Sequence, residues 1–322
     1  MSVASVRFTG PSGRRGFTLL EILAAVSVLA IILYIMVQIT NQVTRVVQSG
    51  RRVDAETEAR LVFNRMALDF SRLLKSGDVD YSAFKSATSG TLPARYDNAA
   101  VPVNPQPGND RLAFYAETSG LFSGPGPDKS TVALVAYQIR PGDAGNPDPT
   151  LRAPVLQRLA QGLGWEDTGA GWQSPVYLPM TLTGQWPDLF ADDDDYQSIG
   201  SQTFRVEYAY LLKATGTEAA RLSVTPWDTR QGHTHADGLK DVAAIVVTIG
   251  VLDETSRKIV EGTKFDALIE EFPDAVEGQA LLPVWQEKIN DPNFSDRTGV
   301  PPPASSRVRV YERYFYLHPG TP

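Results

Sequence analysis

Glu21 is the single charged residue in a long apolar stretch near the start of the chain. Between Arg15 and Arg45 every other residue is uncharged, and residues 17–39 are mostly apolar. An acidic side chain at membrane depth costs roughly 2.5–3.5 kcal/mol on insertion scales, and such residues usually have a function. We therefore take Glu21 as the first candidate functional residue.

Two loops contain side chains of the types that bind metal ions. His233 and His235 lie two residues apart and are followed by Asp237, and four consecutive aspartates begin at Asp192 and end at Asp195. The histidines would need further ligands from elsewhere. The aspartates lack the spacing, the glycine and the terminal glutamate of an EF-hand. We interpret the two loops as a surface turn and a solvated acidic loop, and we predict neither a metal site nor a cofactor.

The composition argues against several functional classes. The 322 residues include no cysteine, which excludes disulfides, thiolate metal sites and cysteine nucleophiles. No Walker A motif, no G-x-S-x-G motif and no dinucleotide-binding glycine motif after a strand is present. The formal net charge is -7, which disfavours nucleic-acid binding. We therefore predict that the protein is not an enzyme and does not bind nucleic acid.

Residues 17–39 predict a single transmembrane helix, because about 20 apolar residues span the hydrocarbon core. Arg14 and Arg15 precede it, which predicts a cytoplasmic N-terminus and a remainder on the far side of the membrane. A secretory signal peptide has a shorter apolar core and a small-residue cleavage site, which the following "TNQVTRVV" does not offer. A plain membrane anchor is the alternative, and it gives Glu21 no role.

The sequence "GRRGFTLLE" resembles the signal of type IV prepilins and type II secretion pseudopilins, a basic leader ending in Gly before Phe, with Glu at the fifth mature position. The resemblance implies that an inner-membrane prepilin peptidase and methyltransferase cleaves between Gly16 and Phe17 and methylates the amine of Phe17. In this family the glutamate is taken to pair with the amine of a neighbouring subunit. A paired buried carboxylate costs much less than a lone one, so Glu21 would favour docking in one register.

An amphipathic helix is predicted to continue over residues 40–75, after the membrane segment. Val62, Met66, Phe70 and Leu73 recur at steps of four, four and three residues, which predicts one apolar stripe ending before "SGD".

Residues 76–322 predict a β-rich head with long loops. Alternating patterns favour an antiparallel α+β fold rather than regular βαβ units. In one strand Phe204 and Val206 alternate with Arg205 and Glu207, which predicts that the two charged residues face water. An insertion at 253–306 predicts one or two short helices, and "GVPPPASS" at 299–306 predicts an extended linker. Strands are predicted at 111–117, 130–140, 155–161, 202–213, 241–254 and 307–317.

In the head, an aromatic-rich strand at 204–212 is followed by Trp227 in a loop, by "GLKDVAAIVVTI" and by a later closing strand. This order of features resembles the J-type minor pseudopilin of type II secretion, although the chain is longer. Prepilin-like proteins of the Verru_Chthon cassette type are another similar group. The resemblance implies a pilin-like fold, a long N-terminal helix packed on an antiparallel sheet, in a periplasmic head anchored in the bacterial inner membrane. It implies a minor subunit near the tip of a pseudopilus or type IV pilus-like filament. Its partners would be other pilins or pseudopilins and an inner-membrane assembly platform. The alternative is a membrane-anchored periplasmic enzyme or binding module.

Replacing the last leader residue tests this assignment. We expect Gly16→Ala to block cleavage, so that the protein keeps residues 1–16, whereas the unmodified protein loses them. Intact-mass measurement of the two purified proteins checks this, and equal masses would count against the leader assignment.

Overall fold

The computed structural model describes residues 19–75, 81–84, 108–118, 132–143, 145–146, 152–162, 196–216, 218–234, 237–260 and 262–317. The chain divides into two compact units, Met1–Arg51 and Arg52–Pro322. The second unit is the head and holds the sheets.

Helix α1 (Leu19–Ser71) is the predicted long N-terminal helix. It ends four residues before the predicted end at residue 75. The reason is that the following backbone pairs with a strand: the amide of Leu74 donates to the carbonyl of Tyr115 at 2.9 Å, and the amide of Glu117 donates to the carbonyl of Arg72 at 2.9 Å. The prediction that the helix reaches residue 75 is therefore wrong.

The head forms two antiparallel sheets, which confirms the predicted α+β class. All six predicted strands are present, with bounds that differ by up to three residues, and three short strands were not predicted. The first sheet has the order β1 (Tyr81–Phe84), β2 (Arg111–Ala116), β3 (Ala133–Arg140), β4 (Val155–Gly162), β5 (Gln197–Gly200). The second has the order β7 (Arg221–Ser223), β6 (Thr203–Leu212), β8 (Val242–Val251), β9 (Arg309–Tyr316).

The apolar stripe of α1 packs on both sheets. Val62, Met66, Phe70 and Leu73 are all buried, as their spacing predicts. The ring of Phe70 lies 5.4 Å from that of Phe114 in β2 and 5.1 Å from that of Phe315 in β9. The stripe therefore joins the two sheets into one core.

A buried ion pair fixes α1 to the first sheet. Asp69 is 1% exposed, and the guanidinium of Arg158 donates to its two oxygens, from Nε at 2.6 Å and from Nη2 at 2.9 Å. The hydroxyl of Tyr137 donates to the same carboxylate. Burial and the nearby Asp69 charge raise the pKa of Tyr137 well above its usual value, so this hydroxyl stays a donor. The cluster ties the helix to β3 and β4.

The insertion covers the second face of the β7-β6-β8-β9 sheet, so the prediction that Arg205 and Glu207 face water is wrong. Both side chains are fully buried. Arg205 donates from Nη2 to Asp274 at 2.7 Å, lies 3.2 Å from Glu207 and stacks on Trp285 at 5.5 Å. The amide of Ala275 donates to Glu207 at 3.1 Å. Alternation on β6 identified a polar face but could not reveal that a distant segment covers it.

The insertion contains more helix than its sequence predicts. Its described residues form five short helices rather than one or two: α2 (Glu254–Arg257), α3 (Thr263–Glu270), α4 (Leu281–Asn290), α5 (Phe294–Thr298) and α6 (Pro302–Ser305). The predicted extended linker at 299–306 is wrong, because Pro302 begins α6. Proline suits a first helical position, since its φ is already helical and its missing N–H would be unsatisfied there.

Removing the Asp69 carboxylate tests the buried pair. We expect Asp69→Ala to lower the free energy of unfolding by about 3–5 kcal/mol, because Arg158 keeps a buried charge without its partner. Urea denaturation of the purified chain in detergent, followed by near-ultraviolet circular dichroism, measures this loss. Arg65→Ala is the control. Its guanidinium lies 3.7 Å from Asp69 and its side chain is 40% exposed. We expect it to cost less than about 1 kcal/mol. Equal losses from the two variants would contradict the role given to Arg158.

Candidate functional site

The first part of α1 exposes apolar side chains on all sides. The segment Ile22–Thr40 is long and apolar enough to cross a membrane, and none of it is buried within the chain. This differs from the head portion of the same helix, where only one stripe is apolar and that stripe is buried. A helix that is apolar all round needs an apolar surrounding, either lipid or other helices. The exposed large apolar residues are Leu19, Leu20, Ile22, Leu23, Val26, Val28, Leu29, Ile31, Ile32, Leu33, Tyr34, Ile35, Met36, Val37 and Ile39.

The polar side chains of this segment are satisfied inside the helix. The hydroxyl of Ser27 donates to the carbonyl of Leu23 at 2.8 Å, and that of Thr40 to the carbonyl of Met36 at 2.9 Å. The side-chain Nε2 of Gln38 donates to the hydroxyl of Tyr34 at 3.1 Å. Because no water is available in lipid, such internal bonds lower the cost of placing polar groups there.

Glu21 belongs to α1 and precedes the candidate span by one residue. Its side chain lies outside the described part of the structure, as do Arg14, Arg15, Gly16 and Phe17. Their proposed roles in cleavage, methylation and pairing remain predictions.

His233 contacts Asp241 and stabilises the loop between β7 and β8. Its Nδ1 lies 3.0 and 2.8 Å from the two carboxylate oxygens of Asp241, and one of those oxygens also accepts from the amide of Asp228 at 2.8 Å. Asp237 accepts from the amide of Thr234 at 2.9 Å, as in a tight turn.

The metal candidates do not come together in the described part of the chain. No group of three His, Cys, Asp or Glu side chains among the described residues is placed to hold a metal ion. His235 and the aspartates from Asp192 to Asp195 lie outside those residues.

Asp228 is the centre of an ion network in this loop, and no sequence pattern distinguished it from the other aspartates. Its buried carboxylate accepts from Arg230 through Nε at 3.0 Å and Nη2 at 2.8 Å, from Gln231 at 3.2 Å and from Arg221 at 3.1 Å. These bonds, chiefly those from Arg230, lower the pKa of Asp228 well below its usual value. The network stabilises the connection between β7 and β8.

The comparisons with known proteins concern the N-terminus alone. The family model described as the prokaryotic N-terminal methylation motif matches residues 11–36. No curated protein and no solved structure matches the chain. The motif supports a prepilin-type signal and a pilin- or pseudopilin-like protein. With the exposed apolar helix, it also fits a single-pass membrane anchor.

Acid titration tests the Asp228 network. The pKa of Asp228 is lower in the folded than in the unfolded chain. Its stabilisation is therefore complete above the ordinary aspartate pKa of about 3.9 and is lost as the pH falls towards the folded-state value. We expect Asp228→Asn to unfold at a lower temperature near neutral pH and to lose less stability on acidification. Thermal unfolding between about pH 6 and pH 2.5 measures both effects. Glu287→Gln, at an exposed position of α4, should behave like the unmodified chain. An unchanged acid response in Asp228→Asn would contradict the assignment.

Proposed function

We propose that the protein is a minor pilin or pseudopilin subunit. It enters the inner membrane through its N-terminal helix, with its N-terminus in the cytoplasm and its head in the periplasm. A prepilin peptidase and methyltransferase cleaves it between Gly16 and Phe17 and methylates Phe17. The mature chain then assembles with other pilin-like subunits into a pseudopilus or pilus-like filament that serves protein secretion.

One observation carries this proposal. The methylation motif at residues 11–36 overlaps the helix segment whose apolar side chains are exposed on every side. The motif predicts a cleavage before the apolar segment, so the mature chain retains it. An all-round apolar helix without a covering layer of its own is suited to lie first in lipid and later among similar helices.

The chemistry of Glu21 supports assembly in one register. Cleavage would create a cationic amine on Phe17 at the membrane face. A neighbouring subunit's Glu21 carboxylate could pair with it when the two helices dock at the right height. A lone carboxylate in lipid is costly, so misaligned docking would leave that cost unrelieved.

The size of the head favours a minor subunit over one that repeats along a shaft. A compact unit of about 270 residues has a radius of gyration of about 18 Å. Neighbouring helices pack only about 8–10 Å apart. Heads of this width crowd one another when their helices pack side by side, and a position near the filament tip removes that crowding on one side. The order of sequence features in the head, which resembles that of the J-type minor pseudopilin, also favours a minor subunit.

The proposal is tested by removing the Glu21 carboxylate. We expect Glu21→Ala to insert in the membrane and to lose its leader normally, but to be recovered from sheared filaments at less than about a tenth of the unmodified level. The loss follows from the missing partner for the Phe17 amine. Immunoblotting of membrane and filament fractions from cells that express the whole assembly system measures both steps.

Two controls make the result specific. Glu56→Ala removes a carboxylate from the head portion of α1, where Glu56 pairs with Arg60, and should assemble normally. Glu21→Gln keeps the shape but not the charge, and should fail like Glu21→Ala. Full assembly of both Glu21 variants would refute the pairing role. A mature protein with an intact Met1 and no filament fraction would instead indicate an anchored periplasmic enzyme or binding module.

A further inference from the structure

Strand β9 has a hydrogen-bonding edge that no other described strand occupies. β6 and β8 each pair with strands on both sides, whereas β9 pairs with β8 along its whole length and is the outermost strand of the order β7-β6-β8-β9. In an antiparallel pair, alternate residues direct their backbone N–H and C=O groups away from the partner. Of its eight residues only Phe315 is buried, whereas nine of the ten residues of β8 are buried. β9 is therefore the outermost described strand on its side of the sheet, and its residues are less buried than those of the central strand β8.

The two faces of β9 contact different layers. Phe315 and Tyr311 pack with the apolar core that includes Met66 and Phe70 of α1. Val310 packs with the apolar residues of the insertion, and Glu312 accepts from the amide of Leu282 in α4 at 3.3 Å. Odd-numbered residues therefore lie on the α1 side of the sheet and even-numbered residues on the insertion side.

On the insertion side of the sheet, a row of apolar residues crosses the four strands and reaches the edge of β9. In strand order, the row consists of Leu222, Leu211, Ala244 and Tyr316. Tyr316 closes the row at the edge and is 66% exposed. The neighbouring row ends in Tyr314, which is partly exposed. These two tyrosines give the edge an apolar, aromatic side.

The α1 side of the same edge is basic. Arg309 and Arg313 both lie on it, at alternate positions with Tyr311 between them. Arg313 donates to the side chain of Asn64 at 3.1 Å and stacks on Phe315 at 5.3 Å, which holds its guanidinium beside the edge. The side chain of Arg309 bonds to the carbonyls of Ser306 and Val308. Two oriented cations on one face favour carboxylates opposite them.

We propose that the edge of β9 binds an extended segment of a partner protein, which adds to the sheet as an antiparallel strand. Its apolar side chains lie on the side of Tyr314 and Tyr316, and its acidic side chains lie opposite Arg309 and Arg313. Main-chain hydrogen bonds supply affinity in such strand addition, and alternate side chains supply specificity. This interaction goes beyond the proposed function and does not depend on cleavage at Gly16.

A peptide of alternating valine and glutamate, as long as β9, tests the proposal. Fluorescence anisotropy of the labelled peptide with the purified full chain in detergent measures binding at low salt. We expect the acidic peptide to bind at least about tenfold more tightly than its valine–lysine counterpart, because two cross-strand charge pairs change from attractive to repulsive. Methylation of the peptide nitrogens that would bond to β9 should abolish binding.

Variants of the strand separate this interaction from general attraction to a basic surface. Arg313→Glu should weaken binding of the acidic peptide and strengthen binding of the lysine peptide. Arg72→Glu, at the exposed position that directly follows α1, should change neither. Tyr316→Ser removes an exposed aromatic ring, so a folding defect is not expected. It should weaken binding of the acidic peptide, because the valine side chains of the peptide lose their contact with the ring, and unchanged binding would count against the apolar side of the proposed site. Failure of the acidic peptide to bind would overturn the proposal and leave the arginines as charges that protect the edge from aggregation. Equal binding of the N-methylated peptide would overturn it as well.

Discussion

The burial of one stripe of α1 is the constraint on which the head depends. Val62, Met66 and Phe70 occupy the space between the two sheets, and Phe70 touches both of them. The same helix has no such stripe over residues 22–40, where apolar residues cover every side. The chain therefore changes from an all-round apolar pattern to a one-sided pattern within a single helix. That change is typical of a helix whose first part is surrounded by lipid or by other helices and whose later part packs with one face on its own head.

Local patterns predicted those parts of the fold that local physics determines. The stripe of α1 follows from its 3.6-residue period, and the alternation along β6 correctly separates Val206 and Tyr208 from Arg205 and Glu207. The alternation along β6 does not indicate what covers the face that carries Arg205 and Glu207. A polar face appears solvent-exposed in the sequence, and only the insertion, some 70 residues later, supplies the partners that bury it. The three missed strands have three or four residues each, too few for a two-residue period to stand out.

The candidate functional residues likewise fall into two groups, those that a contiguous motif predicts and those whose role depends on contacts between distant segments. The signal around Gly16, Phe17 and Glu21 is contiguous, so the sequence could suggest it and the match at residues 11–36 supports it. The position of β9 at the edge of its sheet could not be predicted from the sequence. Its sequence predicts a strand, but whether that strand is central or outermost depends on which strands pair with it. Likewise, Asp228 gains its role from Arg221 and Arg230, which reach it only when the loop folds. Residue type and spacing alone could not distinguish it from other loop aspartates.

Buried contacts make the insertion part of the head. Arg205 and Glu207 are fully buried, and Asp274, Ala275 and Trp285 of the insertion provide their contacts. If the insertion moved away, these polar contacts would be lost and the apolar residues that pack between the insertion and the sheet, such as Phe204 and Phe272, would be exposed to water. Separation is therefore unfavourable, chiefly because apolar surface would be exposed. Asp69 and Arg158 join α1 to the first sheet, beside the apolar stripe of the helix. With the insertion and α1 both packed on the sheets, β9 keeps a fixed position at the edge of its sheet. A fixed edge loses little conformational entropy when a partner strand docks, which favours strand addition.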